Sequence, residues 1–411
     1  MRPPNKKHMP KNEPIKYDYY DDEDIRTLRA FINAVKSNDS ALEIEHRSPL
    51  PFEKFIAQLR QNSFDGLILD LRLDQKASPS GERANFRATA FAQELRNLAT
   101  EGKIPDFPIA LWSMDEKLKQ TYLPDNTGHD LFDLKCVKED IGNDKKFARE
   151  IAEKLISLVI GYRKLAAFVS ERGSNQSRIY SALNLDKSEE FLDPRIASYF
   201  EGVKGKVPPH EFARFLIKGL LDFPGPLIDE HILAARLGIS LEHSNTEDWN
   251  FVKQKLKPAA YSGVFGDGWR RWWAFLIEEW WADTVKSSKK LRLITAEERV
   301  EKLKKITKRK NLVAADPIEK NYSTNFWTIC QATKRPLSPN DGFTLQNTKE
   351  KPWSDRLYIS VNLALSGTLK NNILKLSGSN VKDKRLQREG VAVDPLELQR
   401  LRTARKNSSS E

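Results

Sequence analysis

Five polar residues follow short apolar segments in the first third of the chain, and their types suggest a single chemistry. Asp21 and Asp22 follow the segment IKYDYY, and Asp70 follows FDGLIL. Ser113 ends FPIALWS, and Lys135 follows HDLFDL. Clustered carboxylates are hard oxygen ligands of the kind that suits Mg²⁺, which also accepts phosphate oxygens. If these residues meet, they form a magnesium and phosphate site.

A carboxylate beside a metal ion is also a nucleophile. It attacks phosphorus to give an aspartyl phosphate. A bound cation and the Lys135 ammonium would neutralise the charge of the transferred phosphoryl group. The Ser113 hydroxyl is able to hydrogen-bond the phosphoryl oxygens of the product. The residues therefore predict phosphoryl transfer onto Asp70.

A doubly wound sheet would place these residues together. Short apolar runs alternate with helical periodicity from residue 15 to about 165, and the third run is apolar at nearly every position, as in a strand covered on both faces. The predicted strands are 15–20, 41–46, 64–71, 107–113 and 129–134. Strands that alternate with helices indicate a parallel sheet, whose carboxyl edge binds ligands.

Four segments carry a resemblance to a known family, the receiver domain of two-component response regulators. The segments are YYDDEDIRTL, FDGLILDLRLD, ALWSMDE and GHDLFDLK. The resemblance implies a flavodoxin-like α/β fold for residues 14–165. It also implies that Asp70 accepts a phosphoryl group from a histidine kinase or a phosphotransfer protein. It further implies Mg²⁺ bound by Asp21, Asp22 and Asp70, with Ser113, Lys135 and Phe132 as phosphate-binding and switch residues.

Two departures from the family pattern stand beside the resemblance. Cys136 occupies the position after the lysine, where the family usually has proline, and the polar loop from Asp74 to about Phe86 is longer than usual. A phosphatase of the haloacid-dehalogenase type is excluded by Arg72. Such enzymes need a second aspartate there as general acid.

Composition narrows the class of protein. Hydrophobic residues make up 39% and charged residues 30%, which is typical of a soluble globular protein. No run of about 18 apolar residues occurs, so no membrane span is expected. The basic, polar N-terminus is unlike a secretory signal, and two cysteines, Cys136 and Cys330, fit a reducing cytoplasmic compartment.

The rest of the chain is predicted to have a different architecture. We expect a disordered leader over 1–13, the receiver over 14–165, and a mainly helical, Trp-rich output or interaction domain over 166–310. A small β-rich module over 311–380 and a charged tail over 381–411 are expected to follow.

The net charge of +11 lies entirely in this second part, because residues 1–165 hold 27 basic and 27 acidic residues. That asymmetry suggests an anionic partner, although a basic surface also aids solubility. The stretch that ends in Lys308, Arg309 and Lys310 either forms a solvated helix or touches phosphates.

Two segments are candidates for output. On a helix through 268–285, Trp269, Trp272, Trp273 and Trp280 would share one face, which is either core or a face for a protein partner or nucleic acid. The segment HILAARLGIS (231–240) resembles the start of a helix-turn-helix, but a helix with a glycine C-cap explains it equally.

The leading hypothesis is a bacterial-type response regulator whose C-terminal part reads phosphorylation at Asp70. One alternative is a phospho-accepting scaffold or decoy without DNA output in a signalling or defence system. Another is a DNA-binding transcriptional regulator. An effector enzyme in residues 166–411 rests on size alone, since no catalytic constellation is visible there.

Overall fold

The architecture comes from a computed structural model of the 411-residue chain. It describes residues 14–61, 63–77, 81–118, 122, 128, 130–185, 192–203, 205–286, 289–345 and 351–366, together with 368–370, 373–375, 394, 397, 399–400 and 403. The predicted leader and nearly all of the predicted tail lie outside these residues.

A five-stranded parallel sheet forms the centre of the N-terminal part. Its strands are β1 (Ile15–Tyr20), β2 (Leu42–Arg47), β3 (Gly66–Leu69), β4 (Ile109–Ser113) and β5 (Leu134–Val137). Their spatial order is β2-β1-β3-β4-β5, the doubly wound, flavodoxin-like order. The chain reverses its direction of winding between β1 and β3, so a crevice opens at the carboxyl ends of these two strands. The predicted fold class is confirmed.

The burial pattern explains why these segments are strands. Every residue of β3 and β4 is buried, which requires an apolar sequence on both faces. The edge strand β2 alternates instead, with Leu42 and Ile44 buried and Glu43 and Glu45 exposed. Three rings of β1, those of Tyr17, Tyr19 and Tyr20, are fully buried.

Helices cover both faces of this sheet. They are α1 (Ile25–Lys36), α2 (Phe52–Gln61), α3 (Ala88–Thr100), the short α4 (Asp115–Lys117), α5 (Lys138–Asn143) and α6 (Lys145–Ser170). Aspartate side chains cap two of them: Asp24 accepts the N–H of Arg26 at the start of α1, and Asp144 accepts those of Lys146 and Phe147 at the start of α6.

The chain divides into two compact units that are not continuous in sequence. The first contains residues 1–185, 200–217 and 263–269, and the second contains 186–199, 218–262 and 270–411. Helix α6 runs without a break through residue 165, and a later helix, α9 (Pro209–Leu216), packs against it. Segments that lie after the predicted domain boundary therefore belong to the unit that holds the sheet.

The remaining helices confirm a mainly helical region after the sheet. They are α7 (Asn175–Leu183), α8 (Pro194–Ala197), α10 (Glu230–Leu237), α11 (Thr246–Lys255), α12 (Ala274–Val285), α13 (Ala296–Thr307) and α14 (Val361–Ser366). The short strands that follow β5 are β6 (Leu227–Ile228), β7 (Trp272–Trp273), β8 (Thr328–Ile329), β9 (Pro336–Leu337), β10 (Gly342–Thr344), β11 (Tyr358–Ser360), β12 (Thr368–Lys370) and β13 (Ile373–Lys375). In the described part of the chain, no helix has the length and apolar character that crossing a bilayer requires.

Candidate phospho-acceptor site

Two buried carboxylates meet at the crevice between β1 and β3. Asp21 directly follows β1 and Asp70 directly follows β3, and both side chains are fully buried. The backbone fixes their positions, because the N–H of Asp70 donates to the Tyr20 carbonyl oxygen at 2.9 Å. Asp21 also accepts hydrogen bonds from the hydroxyl of Tyr19 and, at 2.9 Å, from the backbone N–H of Glu23. The sequence-predicted acceptor therefore lies where a doubly wound sheet binds ligands.

One lysine joins the two carboxylates, and it is Lys138. Its Nζ lies 2.5 Å from Oδ2 of Asp21 and 2.9 Å from Oδ1 of Asp70. The Lys138 side chain is fully buried and directly follows β5. A second ammonium, that of Lys117, lies 3.5 Å from Oδ2 of Asp70 and 3.6 Å from Glu23.

The assignment of Lys135 to this site needs correction. Lys135 lies within β5 and is only half-buried, and its Nζ lies 5.5 Å from the centre of the Tyr122 ring. The expected strand 129–134 ends three residues before the observed end of β5 at Val137. Aligning the ends of the strands identifies the lysine that reaches the site. Ser113 is in register with Val137, so the next residue, Lys138, reaches the edge where Asp70 follows Leu69.

Phe132 is also separated from the site. It precedes β5 by two residues and packs edge-on against Tyr122, with ring centres 6.1 Å apart. Ser113 pairs with Val137, five residues further along, which corresponds to about 16 Å of extended strand. The structure therefore does not bring Phe132 and Ser113 together, and the expected role of Phe132 as a switch residue beside Ser113 has no support in this geometry.

Ser113 does lie at the expected edge. It is the last residue of β4, between the strands that carry Asp70 and Lys138, and it is fully buried. Its Oγ has no hydrogen-bond partner among the described residues. A buried hydroxyl without a partner costs about 1–3 kcal/mol of stability, so a hydrogen bond from this hydroxyl to a ligand oxygen would be favourable.

Asp22 is turned toward the long loop that follows Asp70. Its Oδ2 accepts the backbone N–H groups of Gln75 at 2.7 Å and Lys76 at 2.8 Å. Further along the same loop, the Arg83 guanidinium donates to the Asp74 carbonyl oxygen at 2.6 and 2.8 Å. The first part of this loop is therefore held against the acidic turn.

Carboxylates outnumber ammonium groups at the site, and this excess of negative charge favours a cationic ligand. Burial raises the pKa of Asp70 above its ordinary value, and the charge of Asp21 adds to that rise despite the opposing effect of Lys138. Burial lowers the pKa of Lys138, but the charges of Asp70 and Asp21 outweigh it and hold the net pKa above its usual range. Lys138 thus lies between two buried carboxylates, and the partly exposed Lys117 is the second ammonium beside Asp70.

The donor set fits Mg²⁺ in its chemistry. Asp21, Asp22 and Asp70 offer carboxylate oxygens, and Oδ1 of Asp22 is buried with no hydrogen-bond partner among the described residues. However, within the described residues no three acidic, histidine or cysteine side chains are arranged as a ready-made metal site. Lys138 contacts one oxygen each of Asp21 and Asp70, and the loop contacts Oδ2 of Asp22, so side chains must turn before all three carboxylates bind one cation.

The tryptophans predicted to share a helical face are core residues. Trp269 precedes β7, Trp272 and Trp273 form it, and helix α12 begins only at Ala274. These three side chains are 2%, 7% and 2% exposed, while Trp280 is half-buried. The broad face of tryptophans predicted on a helix through 268–285 does not exist.

The segment that resembles the start of a helix-turn-helix is a capped helix. Helix α10 ends at Gly238, which has φ +74°, and residues 232–237 are all buried. Eight residues separate α10 from α11, whereas a helix-turn-helix uses a turn of about 3–4 residues. The glycine C-cap explains this segment.

Comparison with known proteins finds a likeness among solved structures. No family model matches the chain, and no curated protein matches it. Among solved structures, the RcsB response regulator of Salmonella typhimurium is similar at 13% sequence identity, and the match covers 48% of this chain and 98% of that chain. Its TM-score is 0.22, which is too low to carry an argument about function. The functional assignment therefore depends on the chain's own fold and site.

Proposed function

We propose that the sheet-containing unit is a receiver that accepts a phosphoryl group on Asp70. The observation that carries this proposal is the buried Asp70 carboxylate at the switch point of the sheet, joined to Asp21 by the Lys138 ammonium. A five-stranded parallel sheet of this order is consistent with a receiver domain. The donor would be a histidine kinase, a phosphotransfer protein or a small phosphodonor.

In the transfer, a carboxylate oxygen of Asp70 attacks the phosphorus and forms a P–O bond. The P–N bond of a phosphohistidine donor breaks, and its electron pair leaves with the imidazole. When bound by Asp21, Asp22 and Asp70, Mg²⁺ would neutralise the charge on the phosphoryl oxygens. Lys138 keeps a positive charge beside Asp70 throughout, and the Ser113 hydroxyl supplies a hydrogen-bond donor that has no partner among the described residues.

The product would change the charges around Lys138. An aspartyl phosphate carries its charge on phosphoryl oxygens instead of the Asp70 carboxylate, so Lys138 exchanges its contact at Oδ1 for a phosphoryl contact. Ser113 would turn its hydroxyl toward the same group. Because Ser113 ends β4 and Lys138 follows β5, we propose that the carboxyl ends of these two strands carry the change to residues 166–411.

Mass spectrometry of the intact protein tests the proposal. The full chain is incubated with Mg²⁺ and acetyl phosphate or a kinase, and one added phosphoryl group is expected. Asp70→Asn should abolish the addition, and chelation of Mg²⁺ should prevent it. Asp39→Asn, at an exposed turn remote from the site, is the matched control and should incorporate phosphate normally. Equal incorporation by Asp70→Asn would exclude Asp70 as the acceptor, and no incorporation by the wild type would show a receiver without acceptor activity.

A further inference from the structure

The second compact unit carries a concentration of cations where two helices end. The last turn of helix α13 carries Lys304 and Lys305, and the chain continues through Lys308, Arg309 and Lys310. Helix α11 ends in Lys255. We define the cationic face as Lys255, Lys305, Lys308, Arg309 and Lys310.

A single aromatic ring brings the two helix ends together. The Arg309 guanidinium lies 4.1 Å from the centre of the Phe251 ring, and Lys255 Nζ lies 5.3 Å from the same centre. Arg309 also lies 3.6 Å from the buried carboxylate of Asp248, which accepts the Asn311 N–H at 3.0 Å. These contacts hold the chain after α13 against α11, so the cations of both helices share one surface.

The lysines of this face are not neutralised by neighbours. Lys255, Lys305, Lys308 and Lys310 are exposed and make no ion pair within the described residues. Two nearby acids are already engaged: Asp248 pairs with Arg309, and Glu301 pairs with Lys304 at 3.1 Å. The face therefore keeps an uncompensated positive charge, in the part of the chain that carries the whole net charge of +11.

We propose that the cationic face binds the phosphate backbone of a nucleic-acid duplex without reading its sequence. Several lysines at two helix ends offer ammonium groups to a row of phosphates, which dominate affinity in such complexes. The Phe251 ring is occupied by Arg309 and Lys255, so it offers little surface for a base to stack upon. The five side chains of the face are ammonium and guanidinium groups, which contact phosphates more often than base edges, so binding that is independent of sequence is expected.

Fluorescence anisotropy with the full chain and short DNA and RNA duplexes of unrelated sequence tests this inference. Affinity should be similar for unrelated sequences and should fall steeply with salt. The variant K305Q/K308Q/K310Q should make the slope of log affinity against log salt shallower by up to about 2.7, if each lysine neutralises one phosphate. Arg309 is left in place, because its loss would leave the buried Asp248 carboxylate without its paired cation. The DNA and RNA arms identify which duplex is preferred.

The matched control is K145Q/K146Q/K164Q, which removes three exposed lysines from helix α6 of the first unit. It should leave both affinity and slope unchanged, and both triple variants should keep the thermal transition of the wild type. An equal loss in the control would show only non-specific attraction to net charge and would overturn the proposal. Absence of duplex binding at low salt, or binding to anionic vesicles but not to duplexes, would also overturn it.

Discussion

Replacement of Lys138 by methionine is the sharpest test of the site geometry. Methionine has a side chain of similar length without the charge, so the two carboxylates that Lys138 joins at 2.5 and 2.9 Å lose their shared cation without a large cavity. Breaking a buried ion pair from one side costs about 3–5 kcal/mol, because an uncompensated charge remains. For a unit of about 200 residues this corresponds to a fall in melting temperature of roughly 6–20 °C.

The matched control is Lys135→Met. Lys135 is half-buried and lies over the Tyr122 ring at 5.5 Å, a contact worth about 0.5–1 kcal/mol. Calorimetry of the full chain, with hydrogen exchange in the segments 15–20 and 66–69, measures the loss of stability in each of the two variants. The Lys138 variant should lose protection in these strands, and the Lys135 variant should resemble the wild type.

A second substitution tests whether the two carboxylates cause the loss of stability in the Lys138→Met variant. In the Lys138→Met background, Asp70→Asn removes one of the two uncompensated charges and should restore part of the lost stability. The reasoning would be refuted by equal losses for the Lys138 and Lys135 variants. It would also be refuted if Asp70→Asn destabilised the Lys138 variant as much as it destabilises the wild type.

Three further predictions concern the packing of each unit. Burial raises the pKa of Asp106, but the hydrogen bond from His210 and the charge of Arg96 outweigh burial and hold this pKa below its usual value. The Asp106 carboxylate should therefore stabilise the fold at neutral pH and cease to do so as the pH falls below about 4. Denaturant titrations should show a shallower pH dependence for Asp106→Asn. Gly161→Ala would make its Cβ clash with the Phe265 ring, so it should cost about 1–3 kcal/mol in thermal unfolding, and a more stable variant would contradict this. Trp273→Ala should destabilise the fold by about 3–5 kcal/mol, whereas an unaltered melting temperature would show that the residue is not core.

Local sequence patterns determined most of the sheet. The segment IKYDYY is β1 with the predicted bounds, and the apolar run before Asp70 is a strand buried on both faces. Because parallel strands place their carboxyl ends at one edge, this pattern was sufficient to place Asp21, Asp70 and Ser113 together. The glycine after α10 likewise marked the helix end, since only a residue that tolerates φ +74° fits there.

Register and non-local packing needed the tertiary structure. Lys135 and Lys138 are both lysines near one strand end, and only the pairing of Val137 with Ser113 decides which reaches Asp70. The tryptophans near residue 270 show the same limit, because a periodicity that fits a helix also fits a turn and a short strand whose rings enter a core formed by distant segments. Sequence spacing determines which residues are available at a strand end, but hydrogen-bond register and burial determine which of them meet, since these depend on residues far apart in the chain.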